Sequence, residues 1–137
     1  MENLIREQYS IPFINDLGTE YYVPGNGQAV VALTLAPRHM NNANNGHGGV
    51  MMSLLDVSMA RAGATVITDV ASGGATIEMK TSFLRPAGPV GTRLVATGQV
   101  IHHGATTVFC EASLVDGEER LIARASGTFK YKRQKTP

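Results

Sequence analysis

The chain has 137 residues, 43% of them hydrophobic and 17% charged, which is the size and make-up of one globular domain rather than a disordered tract. A formal net charge of +1 leaves no whole-chain field to hold nucleic acid, and no apolar run reaches the roughly 20 residues that span a bilayer or resembles a signal peptide. Cys110 is the only cysteine, so no internal disulfide forms and a reducing cytoplasmic setting is expected; no Cys/His cluster has zinc spacing, and no metal is expected.

In chain order, the stretch up to Tyr22 mixes apolar and polar residues and predicts a short helix before Pro12. Pro24-Gly25-Asn26-Gly27 reads as a turn, and 29–35 (AVVALTL) as a strand ended by Pro37. A polar, Asn-rich loop over 39–46 follows. The segment 47–66 is the one long helix candidate, apolar on most faces and so expected to be buried on most sides. Gly73-Gly74 breaks the chain, and four strand-like runs come after it at 76–84, 93–102, 106–115 and 120–130. His103-Gly104 and Asp116-Gly117 are hairpin turns between the last three. The order strand, helix, four strands in a meander predicts an α+β fold over 1–137, a curved antiparallel sheet wrapped around one central helix. Its exposed edges ask for further copies of the chain. The late basic cluster at Lys130, Lys132, Arg133 and Lys135 reads as a solvated terminus.

Asp56 stands out in this pattern. It lies inside the apolar helix between Leu55 and Val57, and its neighbours one turn away (Met52, Ser53, Met59, Ala60) carry no charge. A carboxylate there is costly unless it has a partner or a task. Gly46-His47-Gly48-Gly49 opens the same helix. The glycines serve either the geometry of the entry turn or the close approach of a ligand to the helix's first N–H groups, which lack internal partners and carry partial positive charge. His47 is read mainly as a cap or brace of that turn. Gly48 and Asp56 are eight residues apart, about 12 Å along a helix, too far for one carbonyl to touch both. If both serve one reaction, the acid comes from a second copy of the chain.

The run His47-Gly-Gly-Val-Met-Met-Ser-Leu-Leu-Asp56 resembles the H-G-G-x-x-x-x-L-x-D/E motif of hot-dog-fold thioesterases, in the branch of the phenylacetic-acid-degradation and hydroxybenzoyl-CoA thioesterases. Phe83-Leu-Arg-Pro86 is similar to that family's strand end, and His102-His-Gly-Ala105 to its x-x-G-K turn, with Ala105 where Lys is common. The resemblance implies an acyl-CoA thioesterase that needs no cofactor and works as a homo-oligomer, dimer or tetramer, with sites between subunits. It implies that Asp56 attacks the thioester or activates water, and that the Gly48 N–H polarises the thioester carbonyl. Asn41 then positions the carboxylate or the substrate, and Thr76 holds the attacking water. His47, Gly49, Met52 and Arg85 fall at substrate-binding positions. Met51, Met52, Leu55 and Met59 are expected to line an aryl or medium-chain acyl site, and Arg85 is either a surface charge or a contact to a CoA phosphate. The alternative is a non-catalytic acyl-CoA-binding or ligand-sensing protein on the same fold.

Overall fold

A computed structural model describes residues 11–70 and 74–134. A short helix α1 (Pro12–Asp16) leads into β1 (Glu20–Gly25), β2 (Gln28–Thr34), a single 3-10 turn (Pro37–His39) and the long helix α2 (Gly48–Ala64). Four strands follow: β3 (Ala75–Phe83), β4 (Arg93–His103), β5 (Thr107–Val115) and β6 (Leu121–Lys130). All six strands form one antiparallel sheet in the order β1-β2-β4-β5-β6-β3.

The sequence dictates that α2 lies against the sheet. Met51, Leu54, Leu55, Val57, Ser58, Met59, Ala62 and Gly63 are all buried, so apolar contact covers most of its circumference. One core joins Met51, Leu54, Leu55, Val57 and Met59 of the helix to the inward residues of the strands, among them Leu33, Leu94, Val108, Cys110, Leu114, Ile122 and Phe129. At its closest approach the helix backbone touches β4. A Cβ on Gly98 would overlap the Ser58 carbonyl oxygen, so only glycine lets helix and strand meet there. The Tyr131 hydroxyl donates to the Ala60 carbonyl and pins the last part of the chain against the helix.

Two expectations are corrected. The helix expected before Pro12 falls on residues 1–10, which lie outside the described residues, as do Gly73 and Lys135. Pro12 itself opens α1, because proline's fixed φ and missing N–H suit the first position of a helix. A sixth strand, β1, pairs with β2 across the turn at Asn26 and Gly27, where φ is positive at both residues. And the four strands after α2 are not a simple meander. β4, β5 and β6 are joined by hairpins, but β3 pairs with β6 at the far edge. The connection over 84–92 holds two prolines and runs along the end of the sheet. Leu84 N–H donates to Ile122 of β6 at its start, and Leu35 and Thr92 tie its end to β2.

The pairing of β3 with β6 contains a bulge that decides where Thr76 points. Thr76 lies opposite Phe129, but Glu78 lies opposite Thr128, leaving Ile77 as an extra residue. Strand side chains alternate between faces, so without the extra residue Thr76 would share the outer face with Glu78. The bulge turns it to the face of buried Phe129, toward α2. β3 is also a free edge of the sheet, and Ile77, Phe83 and the following Leu84 are 61%, 47% and 55% exposed.

Candidate active site

Two clusters of polar groups lie along α2, one at its start and one in its middle. The helix start is held by a loop that satisfies nearly every backbone donor. Asn41 Oδ1 accepts from the N–H groups of Ala43 and Asn45 at 2.9 and 3.1 Å. Asn44, Gly46 and His47 N–H donate to Asn41, Ala87 and His39 carbonyls. His47 is the N-cap, and its Nδ1 accepts from Gly49 N–H at 2.8 Å. Val50 and Met51 N–H both reach the His47 carbonyl. Over 43–51, the Gly48 N–H alone has no partner among the described residues. That one donor sits on the positive end of a 17-residue helix.

Gly48 opens onto a groove of about 430 Å³ bordered by Asn41, Asn45, Met51, Phe83, Leu84 and Arg85. Asn41 therefore does two things: its Oδ1 shapes the loop, while its Nδ2 donors have no partner among the described residues. Arg85 is exposed on the rim of the same groove. His47 and Gly49 do not line it; their side chain and N–H are committed to each other in the cap.

The second cluster is Asp56 with Thr76. The Thr76 hydroxyl donates to Asp56 Oδ1 at 2.6 Å, a short charge-assisted bond made possible by the bulge at Ile77. It leaves Oδ2 for other work. Asp56 is half-buried and stands between two hollows. The smaller, about 280 Å³, faces Met52 and Met79 near the β3 edge. The larger, about 480 Å³, is walled by Ile11, Phe13 and Ile14 from α1 and by the Ser53, Val57, Ala60 and Arg61 side of α2. Met52 thus lies beside Asp56 as expected, and Met51 lines the Gly48 groove. Leu55 and Met59 are fully buried core residues and line neither, because they project from the sheet-facing side of the helix.

The α1 wall was not legible as a site element, although Pro12 signals a helix start. It is anchored through His39, which is buried, accepts from Ala36 N–H at Nδ1 and donates through Nε2 to the Leu17 carbonyl. Thr19 adds a hydrogen bond to the Ile14 carbonyl. Among the described residues no three His, Cys, Asp or Glu side chains converge as metal ligands do. No helix among them is long and apolar enough to cross a membrane.

The structure therefore brings Asp56, Thr76 and Met52 together, and separately Gly48, Asn41 and Arg85. Among the described residues, the hollows at Asp56 and the groove at Gly48 have no lining residue in common. The thioesterase superfamily profile matches residues 43–123, a span that holds Gly48, Met52, Asp56, Thr76 and Arg85 and begins just after Asn41. The chain belongs to the thioesterase superfamily. It is 32% identical over 111 residues to the acyl-coenzyme A thioesterase PaaI of Escherichia coli K12, covering 81% of this chain and 76% of that one. A putative esterase of Saccharolobus solfataricus is 31% identical over 111 residues, 80% of this chain and 75% of the other. The solved structure of the E. coli PaaI protein from the phenylacetic acid degradation operon superposes with a TM-score of 0.81 at 27% identity, covering 90% of this chain and 86% of that chain. This is the hot-dog architecture that the motif implied, a sheet wrapped on one helix, and its chemistry is thioester hydrolysis.

Proposed function

We propose that this thioesterase hydrolyses acyl-CoA to a carboxylic acid and CoA, in active sites that two copies of the chain build together. One observation carries the reading. The unpartnered Gly48 N–H and the Thr76-bound Asp56 are the two halves of a hydrolytic site, yet they lie about 12 Å apart along one helix and open onto different grooves. The relationship to PaaI supplies the substrate class.

A second copy resolves the separation. β3 runs beside α2 with Thr76 at the Asp56 end and Phe83 at the Gly48 end; a Cβ on Gly48 would lie 3.5 Å from the Phe83 ring. Antiparallel pairing of two free β3 edges sets the Thr76 end of one copy against the Phe83 end of the other. Asp56 then faces the Gly48 turn of its neighbour, twice per dimer. The exposed Ile77, Phe83 and Leu84 are covered in the process. Dimers of this kind pair further into a tetramer, and each 1–137 chain acts as a single domain of a cytoplasmic enzyme.

In this site the thioester carbonyl oxygen accepts from Gly48 N–H, whose pull strengthens as the oxygen becomes an oxyanion. Asp56, held through Oδ1 by Thr76, uses Oδ2 in one of two ways. As a general base it takes a proton from water, which adds to the carbonyl; the C–S bond breaks and CoA leaves as thiolate, then takes up a proton. As a nucleophile Oδ2 adds to the carbonyl carbon, and the C–S bond breaks. CoA leaves as thiolate and then takes up a proton, and water opens the resulting acyl anhydride to the acid and the Asp56 carboxylate. Label found in the Asp56 carboxylate after a single turnover in ¹⁸O-water identifies the anhydride route, because only an anhydride opened at the Asp56 carbonyl carbon places it there. Asn41 offers its Nδ2 donors at the Gly48 groove, and Arg85 on its rim suits a CoA phosphate. No cofactor enters either route.

The primary test is Asp56→Asn against a panel of acyl-CoA thioesters, with thiol release as the readout. Turnover is expected to fall by at least about 10³-fold on every substrate, with melting temperature and oligomeric state unchanged. Near-normal turnover would falsify the assignment.

A further inference from the structure

The two hollows beside the acid have three lining residues in common, Ser53, Asp56 and Thr76, and each of the three carries a side-chain oxygen. We propose that Ser53 holds the water that attacks the thioester, and that Asp56 acts through this water as a general base. This rests on the thioesterase reading above and adds to it one residue and a choice between the two routes.

The direction of each hydrogen bond decides what binds at the place where the hollows meet. The Ser53 hydroxyl donates to the Gly49 carbonyl at 2.8 Å, one turn back along α2. Its proton is committed there, and its oxygen is left to accept. The Thr76 hydroxyl is committed in the same way to Asp56 Oδ1 at 2.6 Å. The three residues therefore present Ser53 Oγ, Asp56 Oδ2 and Thr76 Oγ1, all of them acceptors. Met52 and Met79, which complete the smaller hollow, add no donor, and Arg61 lines the larger hollow only. The reacting end of a thioester has a carbonyl oxygen and a sulfur but no donor, so it makes no hydrogen bond with this set. Water brings two donors. Thr76 is exposed, and Ser53 and Asp56 are half-buried, so water reaches all three.

The spacing suits one water. Side chains three residues apart on a helix lie on one face with Cβ atoms about 5–6 Å apart. A water bonded to an oxygen of each at about 2.8 Å fills such a gap. It gives one hydrogen to Asp56 Oδ2 and the other to Ser53 Oγ, which leaves a lone pair free for the carbonyl carbon. As its oxygen bonds to that carbon, the first hydrogen passes as a proton to Asp56, and the C=O electron pair moves onto the oxygen facing the neighbouring copy's Gly48 N–H. The C–S bond then breaks, and CoA leaves as thiolate and takes the proton from Asp56. The second hydrogen stays on the attacking oxygen and departs with the acid. The carboxylate itself, bonded through Oδ1 to Thr76 and through Oδ2 to the water, keeps no free oxygen for direct attack.

The test uses whichever acyl-CoA of the panel the unaltered enzyme turns over fastest. Ser53→Ala is expected to lower kcat at least about tenfold, the loss of one hydrogen bond in the transition state, with KM within about twofold. Its melting temperature should hold or rise, because alanine is the better helix former and a serine bonded back to the preceding turn slightly destabilises a helix. A purely structural serine gives the opposite pattern. Ser53→Thr and Ser53→Val differ only in the hydroxyl: the first still reaches the Gly49 carbonyl and should recover most of the turnover, the second none of it. In an Asp56→Asn background, Ser53→Ala should cost less than about threefold more, since both side chains act on the same water. Unchanged kcat in Ser53→Ala, equal rates in the threonine and valine variants, full additivity with Asp56→Asn, or ¹⁸O label in the Asp56 carboxylate each overturns the assignment and leaves the thioesterase reading intact. So does a rise in KM at constant kcat, which marks a contact to the CoA arm instead. Absence of thiol release from every acyl-CoA by the unaltered enzyme overturns both.

Discussion

Replacing Gly48 with proline removes one hydrogen-bond donor and little else. Gly48 is the first residue of α2, the position where proline is most easily accommodated. The preceding His47 has φ −62 and ψ 135, the extended conformation that a residue before proline adopts without strain. The Gly48 N–H has no partner to lose among the described residues, and a Cβ there meets only the Phe83 ring at an ordinary 3.5 Å. Helix and fold should thus persist, and the melting temperature should hold or rise slightly. Turnover should not persist. Loss of one oxyanion donor costs about 10²–10³ in kcat, or ~2.7–4 kcal/mol of transition-state stabilisation. Gly48→Ala keeps the N–H and is the matched control, expected to stay close to the unaltered rate. Mixing then asks which chain supplies which half. Gly48→Pro and Asp56→Asn subunits are co-expressed in equal amounts. With random pairing half of the dimers are mixed, and each mixed dimer holds one site with both groups intact, so about one-quarter of full activity returns. If both groups acted within one chain, nothing would return. A well-folded Gly48→Pro enzyme with near-normal turnover, or mixtures no more active than their parents, refutes the reasoning.

Thr76→Val deletes the donor to Asp56 without changing side-chain shape, and kcat is expected to fall about tenfold or more, while Thr76→Ser restores it; steady-state assays of the two variants decide. Gly98→Ala forces a methyl into the Ser58 carbonyl and should destabilise by about 3 kcal/mol or more, read from urea unfolding. Burial pushes the Cys110 thiol up from 9.0 to about 12, so the folded protein should not react with a thiol reagent at pH 8 and should react once denatured. The sign for stability follows. The thiol stays protonated when folded, so its contribution is full below pH 9.0 and is lost as pH rises toward about 12; melting temperature across that window should fall less steeply in Cys110→Ala.

The central helix was legible because seventeen residues of nearly all-round apolar character admit few other fates, and the three C-terminal strands because short polar turns join them. β1 escaped notice: it is a brief edge strand containing Pro24, a residue that edges tolerate and strand patterns count against. The partner of β3 escaped because pairing with β6 is settled by long-range packing, and no turn motif in 84–92 encodes it. At the site, Asp56 declared itself as a charge amid apolar neighbours and Gly48 as a costly residue at a helix start. Thr76 reaches Asp56 only because a single bulge reverses its facing, which no local pattern reveals. Leu55 and Met59 misled for a related reason. Apolar residues at helical spacing serve core and ligand pocket alike, and only the position of the sheet tells which face is which.

These observations also explain why such a site should fall between chains. A helix buried on most sides keeps two kinds of free surface: its positive end, where one N–H lacks a partner, and one narrow stripe, where Asp56 stands. Both are useful to acyl transfer, the first for the oxyanion and the second for the base or nucleophile. A straight helix holds them rigidly apart, and no loop motion within the chain shortens that distance. In the proposed arrangement the exposed β3 edge, which alone invites aggregation, becomes the element that aligns the end of one helix with the stripe of another. Assembly and catalysis are then one event: a lone chain carries two half-sites and no whole one.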